Sequence, residues 1–185
     1  MGFGIKIQYW KEERLIMKIY REHENAVIPE FATEGSACFD LRACFDENTR
    51  IKTYNPHNKL IDLPVKYGQN GLQVQAQPQF RILIPTGLIF NIPKGHVLKC
   101  YARSSMANKY GLTLANGVGI IDSDYVEQTY ITLYNMGDTP ITIYHGDRLA
   151  QAMLEKTLTY TLEEAKYRPS QKTERDGGIG STGVN

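Results

Sequence analysis

Apolar and polar positions alternate along much of the chain with the two-residue period of a β-strand. Residues 80–85 and 87–93 are short β-rich runs, each ended by a proline, and residues 97–102, 128–135 and 140–144 alternate. Turn signals separate them at Pro93-Lys94-Gly95, at Asn135-Met136-Gly137-Asp138 and at His145-Gly146-Asp147. Many short strands at regular spacing predict an all-β sandwich, jelly roll or barrel. Helix is sparse: residues 106–110, ended by Gly111, predict about one turn.

Three stretches fall outside this pattern. Residues 1–16 read as a charged N-terminal extension, with Met17 as a second plausible start. Residues 46–79 are polar, with Pro56, Pro64 and Pro78, and read as an insertion or long surface arm. Residues 169–185 end in Gly177-Gly178-Ile179-Gly180-Ser181-Thr182-Gly183, a glycine-rich arm expected to be mobile when alone. The expected organisation is one β domain over 17–168 between an extension and an arm.

Composition narrows the class. The chain has 185 residues, 42% hydrophobic and 22% charged, with a formal net charge of +1. That balance gives no bulk attraction to nucleic acid or to an acidic membrane. No apolar run reaches the about 20 residues that span a bilayer, and the N-terminus lacks the apolar block of a signal peptide, so a cytoplasmic protein is expected. The three cysteines, Cys38, Cys44 and Cys100, form no Cys-x-x-Cys pair and read as small buried or half-buried side chains in a reducing compartment. The four histidines show no metal-ligand spacing.

Five polar clusters carry the candidate chemistry. In residues 34–43, Asp40 stands between Phe39 and Leu41, so alternation turns it to the opposite face. It reads as a solvent-facing Asp or as a carboxylate near a divalent metal. Arg103-Ser104-Ser105 at a strand end reads as a helix cap with a surface arginine or as an anion site. Residues 114–125 look like a β-hairpin around Asp122-Ser123-Asp124, with Asp122 able to orient a water at the mouth of an apolar pocket. Arg148 and Gln151 are polar insertions in a core-like run, and a buried Gln needs partners. Arg175 and the glycine run could approach phosphate oxygens through backbone N–H groups. Neither a Walker loop nor a Rossmann fingerprint is present.

In order, these clusters resemble the five motifs of the trimeric dUTPase family, from about His23 to the C-terminus apart from the polar insertion. Residues 36–43 are similar to its first motif, 102–105 to its second, 116–125 to its third, 146–151 to its fourth and 177–183 to its last. The resemblance implies a jelly-roll subunit and a homotrimer whose active sites lie between subunits, closed by a neighbour's C-terminal arm. It implies hydrolysis of dUTP to dUMP and pyrophosphate with Mg2+, limiting uracil in DNA and supplying dUMP for thymidylate synthesis.

The roles carried over are residue by residue. Asp40 would hold magnesium through its waters; Asp122 would activate the attacking water. Arg103, Ser104, Gln151 and Arg175 would donate to the phosphates, and Ser105 lies in the same motif. Backbone groups at Gly119, Ile120 and Ile121, with Asn116, would read uracil. Tyr125 would pack on the deoxyribose, and Gly178, Ile179, Gly180, Ser181 and Thr182 would close over the nucleotide. The chain departs from the family at Cys38 and Ser105, each where Gly is usual, and at Val126-Glu127-Gln128. Ile179 replaces a stacking Phe, which removes an aromatic term of about 0.5–1.5 kcal/mol. The tail is also one residue short between Arg175 and Gly177. These departures predict weaker substrate affinity with the chemistry retained. A dCTP deaminase-like enzyme is the nearest alternative, but its catalytic Glu position is Thr132 here, which cannot shuttle protons. A dUTPase-fold regulatory module is the other, with residues 46–79 as its protein-binding surface.

Overall fold

A computed structural model describes residues 15–174. Its first sheet is built on β7 (Arg81–Pro85), whose Ile82 and Ile84 point into the core. The partners of β7 are β12 (Tyr130–Asn135) and β3 (Arg50–Tyr54); β10 (Leu112–Leu114) and β4 (Leu60–Pro64) form the edges. Register places Ile131 opposite Ile84 and Leu133 opposite Ile82, so the apolar faces of the two strands coincide. A second sheet runs β11 (Gly119–Ile121), β9 (His96–Ala102), β14 (Arg148–Lys156) and β2 (Phe39–Arg42). A third joins β13 (Ile141–Tyr144), β6 (Gly71–Ala76) and β5 (Lys66–Gly68). A two-stranded sheet pairs β1 (Lys18–Arg21) with β8 (Leu88–Asn91).

Every pairing is antiparallel. The inward faces of all four sheets meet in one apolar core, with Leu41, Leu98, Ile82, Val74 and Phe90 among its members. Stacked antiparallel sheets over one core match the expected jelly-roll-like sandwich.

The expected strands recur with ends moved by a residue or two. Residues 46–79 need correction. They are not a loose arm: they hold β3, β4, β5 and β6, and Ile51, Thr53, Val65, Val74 and Ala76 are buried. Their polarity misled because Gln73 and Gln75 alternate with buried Val74 and Ala76, a half-buried strand pattern. Of these four strands only β4 and β5 stand at sheet edges. The helix, α1 (Ser104–Tyr110), starts earlier than expected and takes both serines of the second cluster; it ends on Gly111 at φ 64, with the Gly111 N–H closing on Ala107 and Met106 carbonyls. The last strand stops at Lys156, and residues 157–174 are exposed, so the packed body ends before the expected boundary at 168.

Asn135 ties the first sheet to the third. It is fully buried; its Nδ2 donates to the carbonyls of Ala76 and Thr139 (both 2.9 Å), and its Oδ1 accepts the Gly137 N–H (2.9 Å). Asn135→Ala strips these bonds and leaves a buried carbonyl and amide unpaired, a loss of about 2–4 kcal/mol. Urea unfolding should show a lower midpoint with an unchanged slope; wild-type stability would contradict this role.

Candidate functional site

β2, β14 and β9 lie side by side, and their register puts Asp40, Gln151 and Tyr101 in one row across the second sheet. The β2 end and the turn before β14 are locked together. The Ala43 N–H donates to the Asp147 carbonyl (2.9 Å), the Gly146 N–H to the Ala43 carbonyl (2.8 Å), and the Arg42 guanidinium to the Gly146 carbonyl (2.8 Å). Gly146 has φ 86, a conformation that costs a side-chain-bearing residue dearly. A register shift between Arg148 and Ala150 then re-aims Arg148 toward β2.

The result is a carboxylate held between two guanidiniums. Asp40 Oδ1 meets Arg103 Nε at 2.8 Å, and Oδ2 meets Arg148 Nη1 at 3.2 Å. Arg103 Nη1 also donates to the Arg148 carbonyl (2.8 Å), and Gln151 Nε2 to the Ala102 carbonyl (3.1 Å). Side-chain exposures of 26% for Asp40, 20% for Arg103 and 50% for Arg148 leave the cluster within reach of solvent and ligand. Two planar cations against one carboxylate carry net positive charge and keep unused N–H donors, which suits an anion with several oxygens. Ser104 and Ser105 follow on the first turn of α1, where N–H groups lack intrahelical partners. Arg148 is a site residue not expected from the sequence, where it stands only as a polar insertion in a core-like run. Its signal was a cation directly after a Gly-Asp turn, heading an apolar run.

The third cluster builds a separate cleft. The chain does turn at Asp122, where the Tyr125 N–H meets the Asp122 carbonyl (3.1 Å). The expected hairpin is corrected, however: its arms do not pair. β11 pairs with β9, and the returning chain enters β12 of the first sheet. The exposed Val126 and polar Glu127 give the return arm nothing to bury against β11. The splayed arms leave a cleft of about 80 Å³ lined by Asn116, Gly119, Ile120, Ile121, Tyr130 and Thr132. As an edge strand, β11 presents one backbone edge to this cleft. Gly119 is needed for the close approach, since a Cβ there would lie 3.0 Å from the Cys100 Cβ. Asp122 follows Ile121 of the lining and is exposed. Tyr125 borders an adjoining hollow with Ile120, Ile121, Thr129 and Tyr130, and its hydroxyl donates to the Gln128 carbonyl (2.9 Å).

The two parts are far apart within one chain. Ile121 pairs with Leu98, so Asp122 lies level with Val97, whereas Asp40 lies level with Tyr101. Three strand spacings of about 4.8 Å across and four residues of about 3.3 Å along separate the carboxylates by roughly 20 Å. Among the described residues no group of three or more His, Cys, Asp or Glu side chains could hold a metal by itself. No helix among them is long and apolar enough to cross a membrane. The expected tail contacts, Arg175, Gly178, Ile179, Gly180, Ser181 and Thr182, lie outside the described residues.

Comparisons with known proteins agree on one family. The family model for dUTPase matches residues 69–183. A deoxyuridine 5'-triphosphate nucleotidohydrolase from Desulfotalea psychrophila is 34% identical over 168 residues, covering 89% of this chain and 92% of its own. The Staphylococcus bacteriophage 80alpha dUTPase with dUpNHpp superposes with a TM-score of 0.69 at 20% identity, over 91% of this chain and 99% of that one. A mutant dUTPase from phage phi11 of S. aureus, described as coordinating a structural Mg(II) ion, gives 0.63 at 19% identity, over 84% of this chain and 100% of that one.

The thiol beneath the cleft reports on its closure. Burial pushes Cys100 up to about 12 and, with the Asp46 charge, Cys44 up to about 11; burial and then Asp40 raise Cys38. The thiolate is the reactive form, so Cys44 and Cys100 should resist iodoacetamide at pH 8 in the folded protein and react in urea. Peptide mass spectrometry reads this directly. Alkylation of Cys100 in the folded protein would mean that the cleft it lines opens far enough to admit the reagent.

Proposed function

The chain belongs to the dUTPase family and is a dUTP-hydrolysing enzyme, and we propose that it cleaves dUTP to dUMP and pyrophosphate in sites that a homotrimer completes. The observation that carries the shared site is the separation of the hairpin cleft from the arginine–carboxylate cluster. A base bound in the cleft of one subunit leaves its phosphates to the Arg103 cluster of another, so the two halves serve one substrate only across an interface.

A triphosphate carries about four negative charges that repel a nucleophile, and positioned cations and donors offset them. Arg103, Arg148, Ser104 and Ser105 bind the phosphate oxygens. Gln151, held by the Ala102 carbonyl, donates to the same chain of oxygens. An ionised carboxylate offers about four lone-pair sites, and Asp40 gives one oxygen contact to each arginine. The remaining acceptor capacity suits the water shell of a magnesium ion. Asp40, through those waters, and the phosphate oxygens would hold magnesium, which supplies charge neutralisation when bound. Asp122, exposed beside the cleft, orients a water and takes its proton as the water attacks the α-phosphorus in line.

The cleft supplies base choice. Uracil offers two carbonyl acceptors and an N3–H donor, to be met by backbone groups at Gly119, Ile120 and Ile121 with Asn116. Cytosine reverses two of those positions and would leave buried polar groups unpaired. Tyr125, fixed by Gln128, packs against the deoxyribose and leaves no room for a 2′-hydroxyl. Thr132 on the cleft wall offers no carboxylate for deamination. Arg175, Gly178, Ile179, Gly180, Ser181 and Thr182 would close the site as an arm from a neighbouring subunit, excluding bulk water.

A second reading concerns β4 and β5, where Leu60 and Tyr67 are exposed at sheet edges. The phage 80alpha relative is described as controlling transfer of virulence genes. We assign this edge as a surface for a regulatory protein. Removing 46–79 outright would delete core residues, so a photo-crosslinker at position 67 is the cleaner probe. One adduct of defined mass, absent with the probe at position 156, supports the surface; none at position 67 refutes it.

Pyrophosphate release measured with dUTP, dCTP, dTTP and UTP in magnesium tests the main reading. Rapid release from dUTP alone is expected, with Asp122→Asn lowering kcat at least a hundredfold, the usual span of a lost general base. Release from dCTP, or an unimpaired Asp122→Asn enzyme, would sink the assignment. Tyr125→Ala should narrow the preference for dUTP over UTP at least tenfold; an unchanged ratio would remove Tyr125 from sugar selection.

A further inference from the structure

α1 and the turn between β13 and β14 enclose a cleft of about 420 Å³ that adjoins the Arg103 cluster. Ser105 and Lys109 lie four residues apart on the helix, so they share the face that borders it. Thr142, Tyr144, Arg103 and Arg148 also line it. Its charge is one-sided. Asp147 is the sole carboxylate lining the cleft among the described residues, and its Oδ2 already accepts the Tyr144 N–H (2.8 Å). Arg103 and Arg148 each give one contact to Asp40. Lys109 is exposed and makes no ion pair among the described residues. Three cations converging on one hollow suit a polyanion rather than a neutral ligand.

We propose that Lys109 is a substrate-binding residue that contacts the terminal phosphoryl group of the nucleotide and the same oxygens of departing pyrophosphate. The inference rests on the reading of Arg103, Ser104 and Ser105 as the phosphate site. From Ser105 to Lys109 the helix rises about 6 Å, the reach of a diphosphate. A chain of phosphates entered at Arg103 therefore ends beside the ammonium. Lys109 then supplies a distal cation from the packed body, in addition to Arg175 of the tail, whose spacing departs from the family pattern. A lysine in the last turn also complements the helix dipole, a structural role that would show in stability and not in ligand discrimination.

The full-length protein and Lys109→Gln are compared for KM of dUTP and for inhibition by dUMP and by inorganic pyrophosphate. The expected result is a roughly tenfold rise in KM for dUTP and a matching weakening of pyrophosphate inhibition. Inhibition by dUMP, which lacks the distal phosphoryls, and Tm should stay at wild-type values, and Lys109→Arg should restore most of the KM. Equal weakening of dUTP and dUMP, or no change in either, overturns the assignment while wild-type turnover still stands. Failure of the wild-type protein to hydrolyse dUTP would instead overturn the phosphate-site reading beneath it.

Discussion

The geometry of the proposed phosphate half depends on one carboxylate. Asp40 accepts from Arg103 on one oxygen and from Arg148 on the other, and so joins the end of β9, the start of α1 and the start of β14. Each arginine side chain has many rotamers, and holding it in one costs up to about 2 kcal/mol of entropy. The carboxylate and the Arg148 carbonyl meet that cost before any ligand arrives, so under the proposed function a phosphate would meet donors already aimed. The position of Asp40 depends in turn on the lock between Ala43, Gly146 and Asp147, and that lock on a glycine at φ 86. A turn residue thus reaches the chemistry through two layers of hydrogen bonds.

The cleft proposed for the base is built by a failure to pair. A closed two-stranded hairpin would satisfy its own backbone and leave nothing to recognise a ring. Here β11 spends one edge on β9 and keeps the other toward the cleft, while the return strand joins a different sheet. Recognition by a strand edge is directional, because donors and acceptors alternate at fixed spacing. Gly119 lets that strand sit against Cys100, and the buried thiol beneath it is too small to push the strand outward.

Much of this was legible in the sequence, and the failures share a cause. The order of the five polar clusters identified the family, and the strands from 80 to 144 were visible because their alternation is clean. Residues 46–79 were misread because glutamine and lysine occupy the outward positions, and only every second residue reports burial. The turn at Asp122–Tyr125 was visible, but which sheet each arm enters is decided by distant strands, which local periodicity cannot encode. Arg148 looked like an interruption of a core strand. Its role exists only because Asp40, 108 positions away, faces it. The last strand, ending at Lys156, fell short of the expected boundary because the apolar side chains beyond it, such as Leu158 and Leu162, lie exposed rather than packed.

The same charge arrangement bears on how a divalent cation would enter. A lone carboxylate flanked by two guanidiniums has a net positive surround, which disfavours a further cation by like-charge repulsion. A polyphosphate reverses that sign, since its charge exceeds that of the two arginines. Under the proposed function, cation affinity at Asp40 would therefore be coupled to the nucleotide, and by linkage nucleotide affinity would be coupled equally to the cation. A site with a preformed carboxylate cage would bind metal first and pose a standing charge to the substrate. This cluster is positive by itself, so under the proposed function the arginines would attract the substrate and Asp40 would contribute its remaining lone pairs only once phosphates and cation are in place.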